Sequence, residues 1–341
     1  MNVVLLMPLA SKDRASSLRS PLAGAPKLGL GMAALGRPGY INLGHGEDIK
    51  AKTVEAMREN AHAVLDAAVE VGVRYIDCAR SYGLSEKFVA SWLSSRLEAP
   101  VIVGSKWGYE YTANWRVTVK SGEAHEVKYH TVQQLTKQHR ESTELLPGLA
   151  LYQIHSATQE SKVLEDAEIL NRLAALRDET QTVIGLSVSD PQVPSIERAT
   201  SVTVQDSALF GSVQATFNLL DQSAAGALQA AHEAGMFIII KEALANGRLT
   251  PRASMSARLS LLQAEAAALG TSVDALALAW VMSHDWVDIC LSGASTIEQL
   301  RSNSDALRLV PLPEAVHRRL SEGLRQEQHE YWAERRALEW N

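Results

Sequence analysis

The sequence predicts an α/β fold, a single (β/α)8 barrel, and three observations carry that prediction. Eight short apolar runs alternate with longer segments of helical period from near residue 27 to near residue 307. The runs are flat and apolar without clean alternation, as strands buried on both faces of a parallel sheet are. Eight such units in about 280 residues suit a closed TIM barrel better than a six-stranded open sheet.

In chain order the runs are Lys27–Gly31, Val73–Asp77, Val101–Lys106, Leu149–His155, Val183–Ser187, Ser212–Ala215, Met236–Lys241 and Asp288–Ser292. Segments between them, such as Met57–Val71, Thr131–Leu145, Val163–Arg177 and Ala224–Gly235, are rich in Ala, Leu and Glu. Their apolar residues recur every three to four positions, the period of an amphipathic helix. Two stretches interrupt the alternation. Tyr109–His130 is polar and carries Trp115 with several Tyr and His residues, and Ala243–Met255 carries Gly247, Arg248, Pro251 and Arg252. Each follows a strand, and long strand-to-helix loops of a barrel gather on its C-terminal, active-site face. Residues 313–341 are helical in period and include Tyr331-Trp332 and Trp340. They predict a helix packed on the barrel and reaching toward its mouth. No repeat or linker divides residues 1–341, so the chain reads as one domain with a core at about 27–307.

Composition narrows the function classes. Of 341 residues, 46% are hydrophobic and 21% charged, enough apolar material for a sizeable core. The net charge of −6 is spread along the chain, with no basic stripe for nucleic acid, so small molecules are the expected partners. Two cysteines, Cys78 and Cys290, exclude a disulfide framework and suit a reducing, cytoplasmic setting. No stretch of about 18 apolar residues predicts a membrane span. Met1–Ser20 is Ser-rich with Lys12, Arg14 and Arg19, a composition that suits either a transit peptide for organelle import or a leading strand or hairpin plugging the barrel bottom.

The chemistry lies where the apolar runs stop. The second ends in Arg74-Tyr75-Ile76-Asp77, the third in Gly104-Ser105-Lys106 and the fourth in Tyr152-Gln153-Ile154-His155. Parallel strands bring those ends to one rim, so a carboxylate, an ammonium and an imidazole converge. Tyr82 follows Asp77 by five positions and can fold back over the same rim. A phenol ionises near pH 10, and a neighbouring cation draws it toward the working range. Lys106 is the expected cation, with Asp77 holding it charged and aimed. His155 orients a carbonyl oxygen, and Tyr82 protonates that oxygen as hydride arrives at carbon. No metal is needed, and His125, His130 and His139 lack metal spacing. Taken singly, Asp77 and Lys106 are also a rim ion pair, His155 a structural histidine and Tyr82 a loop-packing residue. Their place on three successive strand ends and the loop between favours catalysis.

These residues resemble those of the aldo-keto reductases. Tyr75-Ile76-Asp77-Cys78-Ala79-Arg80-Ser81-Tyr82-Gly83 is similar to the family's acid–tyrosine–glycine signature. Gly104-Ser105-Lys106-Trp107-Gly108 resembles its lysine segment and Tyr152–His155 its histidine segment. Gly29-Leu30-Gly31-Met32 resembles its first-strand glycines, and Ser292-Gly293-Ala294-Ser295 with Gln299, Leu300 and Asn303 its last cofactor segment. The resemblance implies an oxidoreductase acting on CH–OH donors, preferring NADP over NAD, with a carbonyl or sugar as substrate. It implies catalytic roles for Asp77, Tyr82, Lys106 and His155. It also implies that Gly31 and Met32 flank the nicotinamide, and that Ser187 and Gln214 hold its carboxamide. Gly293, Ala294 and Ser295, with Gln299 and Asn303, would hold the adenosine phosphate end, where a helix N-terminus offers free N–H groups. Gly29-Leu30-Gly31 by itself is no dinucleotide fingerprint, since the third glycine and the following helix are missing.

Three departures from the family pattern stand out. Val188 replaces a frequent Asn beside Ser187. Lys241-Glu242-Ala243-Leu244 replaces an aromatic–Ser–Pro–Leu segment whose ring stacks on the nicotinamide. The Lys–Glu pair closes on itself under the cofactor, brings charge to the nicotinamide, or is a plain rim ion pair. Gly293 and Gln299 stand where relatives carry Lys and Arg for the 2′-phosphate, which leaves Arg248, Arg252 and Arg258 as candidate substitutes. Trp107, Tyr109 and Trp115 are either an aromatic substrate wall or lid packing. Two other functions share these residues. One is a nicotinamide-binding regulatory subunit with little turnover, like the beta subunits of potassium channels. The other is a barrel isomerase or aldolase with Lys106 as Schiff-base nucleophile.

Overall fold

The computed structural model describes residues 14–96, 98–254 and 256–341. Among them, eight parallel strands close a barrel in which each pairs with the next and the last with the first. The strands are β1 (Leu28–Gly31), β2 (Tyr75–Asp77), β3 (Ile102–Trp107), β4 (Leu151–Ala157), β5 (Val183–Val188), β6 (Ser212–Thr216), β7 (Phe237–Lys241) and β8 (Ile289–Ser292). Their apolar runs place almost every side chain under cover, as a sheet sandwiched between a packed interior and a ring of helices demands. The expected fold, a (β/α)8 barrel, is the observed one. No single helix among the described residues is long and apolar enough to cross a membrane.

The helices begin where the sequence supplies caps. Thr53, Thr131 and Thr296 accept from the backbone N–H three residues on, opening the helices Val54–Glu70, Val132–Leu145 and Ile297–Ser304. Two helices, Ala257–Ala268 and the wholly buried Val273–Met282, separate β7 from β8.

The N-terminal end of the barrel is plugged. Leu18, on the short helix Ser16–Arg19, is buried among Tyr75, Leu151, Phe237 and Ile289. Burying one such leucine contributes about 2 kcal/mol. Arg19 fixes the plug through Asp288 at 3.0 Å and the Met236 carbonyl at 2.8 Å. Of the segment Met1–Ser20, residues 1–13 lie outside the described residues. Residues 14–20 form part of the barrel plug, as short helical turns instead of the expected strand or hairpin.

The register sets up the opposite end. Asp77 pairs with Gly31 and Gly104, Lys106 with Gln153, Gln214 with Ser187, and Thr216 with Lys241. These rim positions face the long segments of the C-terminal side. Tyr109–His130 is expected as a loop, but it contains an antiparallel hairpin, Tyr109–Tyr111 against Glu126–Lys128. The tail forms two helices, Glu314–Leu324 and Gln328–Arg336. Tyr331 and Trp332 are buried, and residues 337–341 return toward the first loop.

Candidate active site

A cavity of about 720 Å³ opens on the C-terminal rim, and Asp77, Tyr82, His155, Gln214 and Lys241 all line it. Beneath it, Lys106 is fully buried at the end of β3. Its Nζ bonds the Asp77 carboxylate, donates to the Cys78 carbonyl at 2.9 Å and reaches the Tyr82 hydroxyl at 3.3 Å. The other Asp77 oxygen accepts from Gln214 Nε2 at 2.9 Å and Gln153 Nε2 at 3.5 Å. Asp77 is thus held in a full set of donors, and it holds Lys106 under the phenol.

His155 reaches the cavity through an irregularity. The register between β4 and β5 shifts between Ile154 and Ala157, and Ser156 adopts φ of 54°. Such a bulge re-aims side chains next to a site. Ser81 Oγ lies 3.3 Å from His155 Nδ1, and among the described residues Nε2 has no partner. The ring meets Tyr82 edge-on at 5.4 Å and Tyr109 at 4.9 Å. Burial, with the charges of Lys106 and Arg37, holds the imidazole well below its ordinary pKa, so it is neutral at pH 7.

Tyr82 departs from the expected electrostatics. Burial and then the Asp77 charge push its phenol well above the ordinary value, and Arg37 is the leading influence in the other direction. Burial dominates: the phenol sits out of water beside the Asp77 carboxylate, and both oppose a second negative charge there. The hydroxyl therefore keeps its proton at neutral pH, the form a proton donor requires.

The remaining expected residues separate into two groups. Gly31, Leu244, Gly293, Ala294, Gln299, Asn303 and Tyr109 line the cavity. Met32, Ser187 and Ser295 lie just under its wall: Met32 N donates to the Asp77 carbonyl at 2.9 Å, Ser187 Oγ accepts from Ser156 N at 2.9 Å, and Ser295 N donates to Gln299 Oε1 at 2.9 Å. Asn303 is hydrogen-bonded to Ser292 Oγ at 2.8 Å. Trp107 is a correction to the expected substrate wall. It has no exposed surface and packs against His130 at 5.6 Å, because strand alternation turns it outward where Lys106 turns inward. Trp115 packs on Phe88 and donates to the Lys52 carbonyl at 2.6 Å, likewise off the cavity.

Of the three arginines, only Arg252 lines the cavity. It is paired with Asp48, whose Oδ2 also accepts from Gln299 Nε2 at 2.7 Å. Arg248 is paired with Glu334 at 2.8 Å, and Arg258 is exposed. Lys241 and Glu242 do form a pair, at 3.9 Å, but not a closed one. Lys241 Nζ donates to Thr216 Oγ1 at 2.8 Å, and Glu242 accepts from Arg335 at 2.7 Å. Burial opposes ionisation of Glu242, yet Lys241 and Arg335 bring its pKa down to about 2.

Several cavity residues carry no local mark in the sequence: Arg37, Tyr40 and Asn42 from the first loop, Glu126 from the hairpin, and Arg335 from the tail, whereas Trp340 lies in the tail expected to reach the mouth. For the first-loop residues the available signal is the length of that loop, residues 32–53, with its Gly36-Arg37-Pro38-Gly39-Tyr40 segment.

No curated protein sequence matches the chain. Among solved structures it resembles an aldo-keto reductase from Bacillus halodurans in its holo form, with TM-score 0.65 and 22% identity over 89% of this chain and 95% of that one. A glycerol dehydrogenase from Gluconobacter oxydans aligns with TM-score 0.67 and 19% identity, over 88% and 91% of the two chains. An aldo/keto reductase from Klebsiella pneumoniae, solved with NADP and acetate, aligns with TM-score 0.63 and 20% identity over 89% and 93%. The model of the aldo/keto reductase family matches residues 27–324, which takes in every barrel strand and all four residues of the Asp77–Lys106–Tyr82–His155 cluster, and the chain belongs to that family.

Proposed function

We propose that the protein is a nicotinamide-dependent carbonyl reductase that also runs the matching alcohol oxidation in reverse. The observation that carries this reading is Lys106 Nζ, which joins the Asp77 carboxylate to the Tyr82 hydroxyl beside His155.

The residues present suit a dinucleotide. At about 720 Å³ the cavity has the size of a small-molecule site. A Cβ on Gly293 would meet nothing within 4 Å, so the backbone there is open to a ligand. The helix Ile297–Ser304 starts at the same place, and a helix N-terminus favours phosphate. We assign Gly293, Ala294, Gln299 and Asn303 to that end, with Ser295 supporting them. Gly31, Gln214, Lys241 and Leu244 fall to the nicotinamide end, with Met32 and Ser187 behind them. NADP is the assigned cofactor, with NAD usable. The NADP complex of the Klebsiella relative supports it, and Arg252 is the cation that shares Asp48 with Gln299.

When bound, the reduced nicotinamide supplies hydride for the carbonyl carbon. Tyr82 gives its proton to the carbonyl oxygen, the O–H electron pair stays on the phenol oxygen, and solvent restores the proton. Lys106 steadies the phenolate so formed, and Asp77 keeps Lys106 in place. His155, with Ser81 Oγ at Nδ1, donates from Nε2 to the same carbonyl oxygen and orients it.

A hydroxylated substrate, such as a sugar or polyol aldehyde, suits the outer wall. Tyr40, Tyr109 and Trp340 line it, and the pairs Arg37–Glu126 and Arg335–Glu242 offer fixed donors and acceptors. The test is titration with NADPH and NADH, followed by quenching of the seven tryptophans, then a panel of plain and hydroxylated carbonyls with Tyr82→Phe as control. Binding with turnover that Tyr82→Phe abolishes supports the reading. Failure of both cofactors to bind sinks it, and binding without turnover across the panel points to the regulatory subunit.

A further inference from the structure

Of the cations at the site that have no part in the Asp77–Lys106 pair, Arg37 lies against Tyr82. Arg37, in the loop after β1, is 3% exposed. Its Nη1 donates to the Ser81 carbonyl at 2.9 Å and to Glu126 Oε2 at 2.8 Å. Its guanidinium carbon lies 5.3 Å from the centre of the Tyr82 ring, 4.6 Å from Trp340 and 5.4 Å from Tyr40. The charge is therefore fixed against one face of the proposed acid/base and tied to the residue just before it. Among the described residues Nε is buried without a partner, and Arg37 lines the same cavity as Tyr82, Tyr109 and His155.

The backbones leave no slack between the two loops. Gly36 O accepts from Leu84 N at 2.7 Å. A Cβ on Gly36 would fall 2.2 Å from the Tyr82 carbonyl oxygen, and one on Gly83 would fall 2.4 Å from Gly36 O. Only glycines allow this approach, and Gly83 also sits at φ of 59°. A displacement of the first loop is thus a displacement of Tyr82. Glu126 closes the arrangement from the hairpin, giving that insertion a task beyond covering the cavity.

We propose that Arg37 is a positioning residue for Tyr82: its guanidinium holds the ring and steadies the phenolate left by proton transfer, with Glu126 fixing the guanidinium. This rests on Tyr82 as the proton donor. A cation on the ring face favours the phenolate over the phenol. Arg37 is also the strongest influence drawing the Tyr82 phenol down against burial and Asp77.

The experiment separates this role from plain packing. Arg37→Gln, Arg37→Lys and Arg37→Met are compared with the wild type. The Met variant keeps the stem under Trp340 in case the Gln variant does not fold. A fluorinated tyrosine at position 82, whose phenol ionises in an accessible range, reports its own titration by fluorine NMR without turnover. With charge removed, that titration is expected to move to higher pH, and Arg37→Lys to restore most of it. In turnover, kcat is expected to fall roughly tenfold, with the NADPH dissociation constant within about twofold of wild type. A titration that does not move in Arg37→Gln or Arg37→Met overturns the proposal, even where kcat falls. A titration that moves in a protein with no carbonyl turnover supports it and sinks the reductase reading instead.

Discussion

Lys106 Nζ stands 3.3 Å from the Tyr82 hydroxyl while bonded to Asp77, and both ends of that ion pair are buried. A buried pair of this kind contributes little net stability, but breaking it leaves a bare charge out of water. The two halves are not equivalent. Asp77 keeps Gln214 and Gln153 as donors, whereas Lys106 without Asp77 keeps only a carbonyl and a hydroxyl.

Asp77→Asn is therefore expected to destabilise the fold by about 3–5 kcal/mol, and Lys106→Met by less. Tyr82→Phe keeps the fold and the NADPH dissociation constant, and lowers kcat by roughly 10²–10⁴. Thermal melts and single-substrate kinetics check all three. Equal melting temperatures for Asp77→Asn and wild type would refute the dependence of Lys106 on Asp77.

Acid is expected to weaken the fold through histidines kept neutral. Burial, reinforced by Lys52, holds His45 at about 4, and burial does the same for His130 and His284. The unfolded chain binds these protons near pH 6.5. Between about 6.5 and 4 the unfolded state thus carries more protons, so stability is full above that window and falls as pH drops through it. Neither His45 ring nitrogen has a partner among the described residues. His45→Leu is expected to flatten the decline in melting temperature across the window, and parallel curves for variant and wild type would count against it.

The limits of the sequence follow from where each signal resides. Strand ends were legible because a strand covered on both faces must be apolar, and Asp77, Lys106 and His155 interrupt that pattern. The choice between wall and packing for Trp107 is not legible, because adjacency to Lys106 says nothing of which face a side chain takes. The Tyr109–Tyr111 hairpin was hidden because both of its strands are partly exposed and mostly polar. Arg37 had no local mark at all: an arginine is normally a surface residue. Its burial depends on Glu126 and Trp340, which only the folded chain brings to it.

Lys241 is expected to make the site prefer the reduced cofactor. Its ammonium lines the cavity at the end of β7, and one carboxylate, Glu242, is shared between Lys241 and Arg335. Two cations against one anion leave a positive balance, and the oxidised nicotinamide ring is itself positive. Lys241→Met is predicted to lower the ratio of NADP⁺ to NADPH dissociation constants by about three- to tenfold, the pairing with Glu242 limiting the effect. Fluorescence titration with both forms measures it, and an unchanged ratio would remove Lys241 from the nicotinamide end.

Arg252 and Asp48 are expected to set the choice between NADP and NAD. Asp48 bonds Arg252 at 2.7 Å and accepts from Gln299 at 2.7 Å and Ser295 at 3.3 Å, so one carboxylate holds the loop after β1 to those after β7 and β8. An acid in this position suits a ribose 2′-hydroxyl, and an arginine suits a 2′-phosphate. Arg252→Gln is predicted to weaken NADPH about tenfold and leave NADH within about twofold, because it removes only the phosphate's cation. Asp48→Asn keeps the hydrogen bonds from Gln299 and Ser295 but frees the guanidinium, and is predicted to tighten NADPH while weakening NADH. If the two substitutions move both cofactors together, the pair fastens loops without reading the phosphate, and cofactor choice must rest on other residues of the rim.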